Sequence, residues 1–390
     1  MKKLILFFYI DALNHDIITP SIMPFLSHFM ENHYYQEVEN VLGYSFAIQS
    51  SMLSGKYPDE NLHWLPYFFF PEKSPLLFKT MAKVGHVFPI DSVPPLRYLM
   101  ERFSREFFMK KGVKANNTPT SVMDKISIYP YYYMDELPFY NELKQFLRIK
   151  YGASLDYFGP PKMRGDKVYR LLLEHLKKYA DNNVEFLIIY EDRLDNIGHS
   201  FGPYSDEYKK FALYLDRILM GIYSKVKNSF GQNVVFIFFS DHGQYQLTNS
   251  LDIISILARE HLIFMKDYIC FVDATLTLFW PMGNSTQDKI KSILSSIKEG
   301  ILIDEKLKEK YHLEFGQNKM YGDLIYVLKP GWTFFPNFFS CFGTMKGLHG
   351  YLPENRAQKA LLISNETCKL RIRHVKDIRN LIVESIGDVR

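Results

Sequence analysis

The chain has 390 residues, a formal net charge of +4 and three cysteines. This length can bury a large core and exceeds what one compact domain usually needs, so we expect a main domain with a large insertion. The near balance of charge argues against a dedicated nucleic-acid-binding protein. The cysteines lack metal-type spacing, which argues against a disulfide framework or a structural zinc knuckle. We therefore expect a reducing, cytoplasmic environment.

The first predicted element is a buried strand over Leu4–Ile10 that ends at Asp11. The basic residues before it imitate the start of a signal peptide, but the apolar run is short and no small-residue cleavage site follows. No stretch of the sequence approaches the ~18 apolar residues that a membrane span needs. Asp11 alone is typical of a helix N-cap, so its interpretation as a ligand depends on the ends of other strands.

Two helix starts follow the first strand. Proline is favoured in a first helical turn, so Thr19–Ser21 predicts the start of one helix. Gly43–Ser45 predicts a turn that opens a second helix, which ends at Ser54–Gly55. Ser45 then lies at a helix N-terminus, where N–H groups and the helix dipole favour an anion. By itself Ser45 is typical of a cap, and a catalytic role requires a base or metal beside the hydroxyl.

The character of the sequence changes over residues 68–160. Aromatic residues and prolines crowd in Phe68–Pro71 and Tyr129–Tyr133, with only short helical patterns such as Leu96–Phe108. We interpret residues 68–160 as a cap inserted over the site, whose aromatic surface can stack on a substrate base, sugar or lipid. The alternative, in which these aromatic side chains pack a small core of the insertion, stays open.

Regular α/β patterning returns in the second half of the chain. An amphipathic helix over Lys167–Tyr179 is followed by a strand over Val184–Tyr190. That strand runs into an acidic segment with Asp195 and, four residues later, His199. In a helical turn this spacing places both side chains on one face, a geometry suited to one metal ion.

A helix over Tyr208–Tyr223 leads to the most informative strand, Val234–Phe239. This apolar run, rich in β-branched and aromatic residues, stops at Ser240 and is followed by Asp241 and His242. Core packing gives no reason for an Asp-His pair at that point. In open parallel sheets, ligands gather at the carboxyl ends of the strands, so the pair is a candidate site.

The remaining chain predicts a second insertion and a return to the sheet. Residues 263–330 are interpreted as a second lobe, a strand–helix–strand unit made of Tyr268–Trp280, Gln287–Ile297 and Asp323–Leu328. A glycine-flanked His349 follows in a loop, and Ala360–Ser364 is the final strand.

Together these elements predict an α/β fold with a doubly wound, mostly parallel sheet and helices on both faces. Its core is assigned to residues 1–67, 161–262 and 331–390, and the cap and second lobe are inserted between these parts.

The predicted strand ends and the late loop supply six potential metal ligands: Asp11, Asp195, His199, Asp241, His242 and His349. Such carboxylate and imidazole groups divide into two sets of three, a composition that suits zinc and also accepts manganese. Two metals roughly 4 Å apart suit in-line displacement at phosphorus, where one ionises the nucleophile and the other stabilises the leaving oxygen. We predict Ser45 as that nucleophile and as a metal contact, because no Ser-His-Asp spacing is evident.

This set of residues resembles the alkaline phosphatase superfamily, and within it the type I phosphodiesterase/nucleotide pyrophosphatase branch. The resemblance covers the predicted core from end to end and is poor in the insertions. It is carried, in this order, by Asp11, the block Gly43–Pro58, Asp195 with His199, Asp241–Gly243, and Gly347–Tyr351.

The resemblance implies a role for each residue of the set. Asp195, His199 and His349 would hold the metal that activates the hydrolytic water. The metal that activates Ser45 would be held by Asp11, Asp241 and His242. Ser45 would carry a covalent phosphoryl or nucleotidyl intermediate during cleavage of a phosphodiester or pyrophosphate-type bond. We expect a small-molecule, glycan-linked or lipid-linked phosphoester as the substrate, because the aromatic clusters of the predicted cap suit a polysaccharide or lipid-linked partner.

Alternatives remain at this point. A phosphomonoesterase should carry a guanidinium near the serine; no arginine is close to Ser45 in sequence, although Arg164 or Arg193 could fold towards it. A phosphotransferase and a non-catalytic binding protein with the same fold also stay open, although retention of all six ligands argues against the latter. A sulfatase is disfavoured because Ser45–Gln49 lacks the Cys/Ser-x-Pro-x-Arg motif.

Overall fold

The computed structural model describes residues 3–387 apart from 89–92, 94, 97–98, 100–118, 131–132, 161, 178–184, 232, 317–318, 339–344 and 367–370. The strands are β1 (Leu4–Ile10), β2 (Tyr34–Val38), β3 (Tyr67–Phe69), β4 (Ile126–Ile128), β5 (Ser154–Phe158), β6 (Glu185–Glu191), β7 (Val234–Ser240), β8 (Tyr245–Gln246), β9 (Asn249–Leu251), β10 (Tyr268–Val272), β11 (Leu276–Pro281), β12 (Gly300–Ile303), β13 (Leu324–Leu328), β14 (Trp332–Phe334), β15 (Gly347–Leu348) and β16 (Ala360–Ser364). The α-helices are α1 (Pro24–Asn32), α2 (Ser45–Ser54), α3 (Pro58–Asn61), α4 (Leu76–Val87), α5 (Pro138–Tyr151), α6 (Asp166–Lys177), α7 (Arg193–Phe201), α8 (Asp206–Phe230), α9 (Ile253–Arg259), α10 (Asn284–Ser296), α11 (Glu305–Tyr311) and α12 (Ile378–Gly387).

The central sheet has six strands in the order β2-β16-β7-β1-β6-β5. Strands β7, β1, β6 and β5 run parallel, whereas β16 runs antiparallel to both of its neighbours. All residues of β1, β6 and β7 are buried, as expected for parallel strands that are covered on both faces. The sheet is therefore mostly parallel, as the sequence predicts.

Side chains of β1 alternate between two cores, one on each face of the sheet. Phe7 and Tyr9 pack in a core that includes residues of α2, α5 and α12. Leu6 and Phe8 pack on the opposite face, against residues of α1, α6 and α8. The period of two along a strand produces this division. Helices on both faces confirm the predicted fold class.

One strand from the segment predicted as a cap belongs to the central sheet. Strand β5 pairs with β6 in parallel, with Ser154 opposite Glu185. It was missed because its residues alternate between buried and half-buried, so it lacks the continuous apolar run of the inner strands. The predicted division of the chain at residue 160 stays a prediction. The helical pattern predicted over Leu96–Phe108 lies largely outside the described residues.

The segment predicted as a second lobe contains a four-stranded antiparallel sheet with the order β10-β11-β13-β12. The predicted strand–helix–strand unit is too simple, because Tyr268–Trp280 is a hairpin rather than one strand. Its turn at 273–275 separates β10 from β11. Phe271 and Leu278 of this sheet lie in the same core cluster as Phe7, so this sheet contributes to the core on one face of the central sheet.

Helix boundaries follow local hydrogen bonding. Helix α1 begins at Pro24 rather than at Thr19–Ser21, because the Thr19 carbonyl accepts hydrogen bonds from the N–H groups of Ile22 and Met23 in a turn. Helix α2 has the predicted bounds and ends at Gly55, whose φ of 70° lies in the left-handed region. Helix α8 is longer than predicted, with 25 residues. No helix among the described residues has both the length and the apolar character to cross a bilayer.

Candidate active site

The predicted site residues meet at the carboxyl edge of the central sheet. Asp11 follows β1, and Asp241 and His242 follow β7. Asp195 and His199 lie on α7, which begins just after β6. Because β7, β1 and β6 are adjacent parallel strands, their ends lie side by side. The sequence predicts ligands just after three strands, and these three strands are neighbours in the sheet.

Asp11, Asp241 and His242 form the first cluster. One ligand atom from each lies within 4.8 Å of the others. Nε2 of His242 is 3.2 Å from Oδ2 of Asp241 and 3.7 Å from Oδ1 of Asp11. All three residues are buried, and their relative exposure does not exceed the 4% of Asp11.

Asp195, His199 and His349 form the second cluster, again with ligand atoms within 4.8 Å of one another. Oδ1 of Asp195 is 3.1 Å from Nε2 of His199 and 3.6 Å from Nε2 of His349. The rings of His349 and His242 stack with centroids 3.7 Å apart. The two clusters therefore adjoin one another.

The geometry of both clusters fits divalent metal ions. Zinc bonds of about 2.0–2.2 Å in a tetrahedral site place neighbouring ligand atoms about 3.3–3.6 Å apart, close to the contacts of 3.1–3.7 Å made by the imidazole nitrogens. Nδ1 of His242 donates to the carbonyl of Gly243 at 3.1 Å, and Nδ1 of His199 donates to that of Gly347 at 2.9 Å. These bonds assign the tautomer that directs an Nε2 lone pair into each cluster.

Ser45 occupies the first position of α2 and contacts the first cluster. Its Oγ lies 3.0 Å from Nε2 of His242 and, given the tautomer of that ring, donates the hydrogen bond. The chain enters the helix through Gly43, whose φ of 142° favours glycine, and a Cβ there would stand 3.0 Å from Cβ of Ala47. The predicted Gly-Tyr-Ser turn thus directs the hydroxyl towards the six predicted ligands.

Polar residues that sequence reasoning missed hold the clusters in place. The Tyr190 hydroxyl donates to Oδ2 of Asp11. Burial, followed by the charge of Asp11, raises the pKa of Tyr190 well above its ordinary value, so this phenol keeps its proton. Asn40 donates to the carbonyl of Asp241 at 2.7 Å, and Gln244 donates to Oδ1 of Asp195 at 2.7 Å. Hydroxyl and amide residues are common throughout the chain, so no signal in the sequence marks these three.

A cavity of about 280 Å³ opens beside Ser45 and both clusters. Its walls include aromatic and apolar residues from several segments of the chain. Arg164 is the one arginine or lysine among the described lining residues, whereas Arg193 binds Glu191 and Asp166. The lining residues are Asp11, Tyr44, Ser45, Phe46, Gln49, Pro66, Tyr133, Met134, Arg164, Tyr190, Asp192, Asp195, Asn196, His199, Asp273, Ala274, Met345, Leu348 and His349.

Asp273 is a lining residue that comes from the second sheet. It is 1% exposed and accepts hydrogen bonds from the Tyr67 hydroxyl and, at 2.6 Å, from the N–H of Ala274. Burial raises the pKa of this carboxyl to about 7, although the hydrogen bonds from Tyr67, Ala274 and Tyr44 counteract the shift. No metal-type spacing surrounds Asp273 in the sequence, and for that reason it was not predicted.

A serine hydroxyl at a helix N-terminus, beside paired clusters of carboxylates and imidazoles, is an arrangement suited to metal-dependent cleavage of phosphoesters. The profile of the type I phosphodiesterase/nucleotide pyrophosphatase family matches residues 5–352, and the chain belongs to this family. Family membership supports a metal-dependent hydrolase of the phosphodiesterase or pyrophosphatase type.

Solved structures share the fold. Human ectonucleotide pyrophosphatase/phosphodiesterase 5 superposes with a TM-score of 0.67 at 13% identity, covering 99% of this chain and 95% of that one. The murine protein of the same name gives 0.66 at 15% identity, covering 98% and 95%. An inactive murine variant in complex with AMP gives 0.66 at 13% identity, with coverage of 99% and 95%. At these identities the likeness demonstrates the fold alone.

Proposed function

We propose that this protein hydrolyses a phosphodiester or pyrophosphate-type bond, with two divalent metal ions and with Ser45 as the nucleophile. The observation that carries the proposal is the 3.0 Å contact between Oγ of Ser45 and Nε2 of His242. That nitrogen belongs to a buried cluster of potential ligands, and its ring stacks on His349 of the second cluster. A serine hydroxyl is a weak nucleophile unless an adjacent base or metal activates it.

Two residue sets would hold the ions. Asp11, Asp241 and His242, together with Ser45, form one set, and Asp195, His199 and His349 form the other. Carboxylate and imidazole donors in these proportions suit zinc best and also accept manganese. When bound, such ions act as Lewis acids that lower the pKa of a hydroxyl or a water molecule and stabilise charge on phosphoryl oxygens.

The reaction would proceed in two displacements at phosphorus. Oγ of Ser45 forms a bond to phosphorus while the bond to the leaving alcohol breaks, and the proton of the serine hydroxyl passes to the alcohol. Water then attacks the phosphoserine, the bond from phosphorus to Oγ breaks, and Ser45 regains a proton. Helix α2 begins at this serine, and a helix N-terminus favours the anionic phosphoryl group in both steps.

Arg164 favours a second candidate function, that of a phosphomonoesterase. Its guanidinium lines the same cavity as Ser45, and its Nη2 donates to the Tyr133 hydroxyl at 2.8 Å. A guanidinium can bind the additional charge of a monoester through charge-assisted hydrogen bonds. Arg164 is distant from Ser45 in the sequence, but both residues line the same cavity in the folded chain.

The test is hydrolysis of matched chromogenic substrates by protein stripped of metal with a chelator. A phosphodiester, the corresponding phosphomonoester and the sulfate ester are compared before and after zinc or manganese is added. We expect metal-dependent turnover with the diester preferred. Preference for the monoester would select the second candidate. Turnover that persists in the stripped protein, or absence of bound metal, would overturn the two-metal proposal.

A further inference from the structure

The turn between β10 and β11 carries residues of the second sheet into the active site. The N–H of Thr275 donates to the Tyr44 hydroxyl at 3.0 Å, and Oγ1 of Thr275 donates to the carbonyl of Gly350 at 2.9 Å. Tyr44 directly precedes the proposed nucleophile, and Gly350 directly follows His349. The turn that contains Asp273 is therefore anchored to both halves of the site.

Asp273 is a buried residue of the cavity wall, and no cation of the described part of the chain forms an ion pair with it. Its relative exposure is 1%, and it lines the cavity. Among the residues that the structure describes, no lysine, arginine or histidine forms an ion pair with Asp273. Its hydrogen-bond donors, Tyr67, Tyr44 and Ala274, are neutral groups. The charge of this carboxylate is therefore not matched within the described fold.

The other carboxylates of the cavity have partners. Asp11 and Asp195 belong to the two clusters, and Asp192 lies 3.9 Å from Nε of Arg164. Burying a carboxylate without a counter-charge is costly, and buried charges in proteins are normally paired or bound to metal. Tyr67, Tyr44 and Ala274 donate hydrogen bonds to the carboxyl oxygens but supply no positive charge, so the charge of Asp273 has no counter-ion among the described residues.

We propose that Asp273 is a specificity-determining residue that binds an ammonium group of the substrate, so that phosphoesters of amino alcohols are preferred. This inference rests on the proposed phosphodiesterase function. An ammonium group supplies both the missing positive charge and N–H donors for the carboxylate. Phe46 is an aromatic residue that lines the same cavity, and aromatic rings attract cations.

The raised pKa of Asp273, about 7, agrees with this inference. Burial makes the charged form of Asp273 unfavourable as long as no cation lies beside the carboxyl group. A bound ammonium group favours the charged form of the carboxyl group. The attraction between the two charges offsets the cost of desolvating the carboxylate and contributes to substrate binding. An ester of the same shape with an uncharged alcohol lacks this attraction. The expected discrimination is therefore between charged and uncharged alcohols of equal size.

The test uses three 4-nitrophenyl phosphodiesters whose second alcohol is 2-aminoethyl, 2-hydroxyethyl or n-propyl. With the metal-loaded full-length protein we expect kcat/KM for the aminoethyl ester to exceed that for the n-propyl ester by about tenfold or more, as for a hydrogen bond to a charged group. Asp273→Asn should bring this ratio close to one. Equal preference for the aminoethyl and hydroxyethyl esters would overturn the assignment of an ammonium group.

Asp216→Asn is the matched control. Asp216 is also 1% exposed, but it accepts hydrogen bonds from the N–H groups of Phe25 and Leu26, on the face of the sheet that carries α1 and α8. Its variant should keep the wild-type ratio, because a ratio of two substrates does not depend on the amount of folded enzyme. A wild-type ratio near one, or an unchanged ratio in Asp273→Asn, would overturn the inference.

Calorimetry separates failure of this inference from failure of the proposed function. If wild-type protein hydrolyses the n-propyl ester without preferring the aminoethyl ester, the hydrolase proposal stands and the role of Asp273 falls. If no ester is hydrolysed, 2-aminoethyl phosphate and n-propyl phosphate are titrated into the metal-loaded protein. Binding of the former at least about tenfold tighter supports the ammonium site, and equal binding overturns it. This measurement needs wild-type protein only and does not depend on the folding of any variant.

Discussion

The two ligand clusters differ in how they meet the cavity. All three residues of the second cluster line it, whereas Asp11 is the one member of the first cluster among the described lining residues. The side chain of His199 is 18% exposed, compared with 2% for His242. The first cluster is thus enclosed around the Ser45 hydroxyl, and the second is the more open of the two, with His199 partly exposed. This difference suits one site that activates a fixed protein group and another that activates a water molecule.

The clusters also differ in what supports them. The first lies at the ends of β1 and β7, which pair from Leu4 opposite Val234 to Tyr9 opposite Phe239. The second depends on α7 and on the loop around His349, which are joined by the hydrogen bond from His199 to the carbonyl of Gly347. Strand pairing is more resistant to local opening than contacts between a helix and a loop. We therefore expect the ion of the second cluster to exchange more readily.

The largest expected effect is that of Ser45→Ala on turnover. Loss of the nucleophile should lower kcat by at least about 10³-fold, while both ions remain, because the six other proposed ligands are intact. Steady-state kinetics and elemental analysis of the same sample measure the two quantities. The control is Ser200→Ala, whose hydroxyl binds the carbonyl of Asn196 one turn earlier in α7. Near wild-type activity in Ser45→Ala would remove the serine from the mechanism.

A smaller but diagnostic effect is expected when a ligand is removed from each cluster. His349→Ala should bind one ion instead of two and keep its melting temperature in the stripped state. Asp241→Ala should lose the other ion and also lose about 1–3 kcal/mol of stability in the stripped state, because Asp241 is fully buried and accepts a hydrogen bond from the N–H of Ala12.

Metal stoichiometry and thermal unfolding distinguish these variants. If His349→Ala still holds two ions, His349 is not a ligand. If both stripped variants unfold at the same temperature, the contrast between an enclosed and an open cluster is wrong.

Substitution of a residue that supports one cluster should selectively lower the affinity of that cluster for its metal ion. Gln244→Leu removes the amide that donates to Asp195, and Tyr190→Phe removes the hydroxyl that donates to Asp11. Loss of such a partner typically costs about 10- to 100-fold in metal affinity. Competition with a chromogenic chelator should therefore show that each variant binds one of its two ions more weakly than the wild-type protein does. Each variant serves as the control for the other, and weakening of both ions by either one would contradict their separate support.

The smallest expected effect concerns Arg164, whose side chain is 57% exposed. Arg164→Gln should lower kcat/KM for a phosphomonoester more than for a diester, by about three- to tenfold, because the monoester carries the additional charge. Arg193→Gln is the matched control, since Arg193 binds Glu191 outside the cavity. An equal change in kcat/KM for both substrates would show that Arg164 does not discriminate between them by the charge of the phosphoryl group.

The inner part of the fold was predictable because its signals are local. Buried strands such as β1 and β7 are continuous apolar runs, and a carboxylate at their ends stands out against them. Asp195 and His199 were found through helical spacing alone. Edge strands such as β5 are half-exposed and lack this signal. Sequence left open whether Arg164 or Arg193 reaches the site, because that choice depends on tertiary contacts.

Other site residues could not be predicted for a different reason. Gln244 and Tyr190 act through hydrogen bonds to proposed ligands, and neither residue type is unusual in a core or at a strand end. Asp273 reaches the cavity through a hairpin of the second sheet, and no spacing in the sequence relates that hairpin to Ser45. Their positions in the site depend on how distant segments of the chain pack together. Local sequence patterns carry no information about that packing.

The turn between β10 and β11 bears on how far this enzyme could be simplified. A minimal version that keeps all six proposed ligands and replaces residues 263–330 with a short linker would remove the contacts of Thr275 with Tyr44 and Gly350. It would also delete one wall of the cavity. The second sheet is therefore not a detachable module, and transplanting the proposed catalytic residues onto a smaller scaffold would require other contacts in place of those made by Thr275.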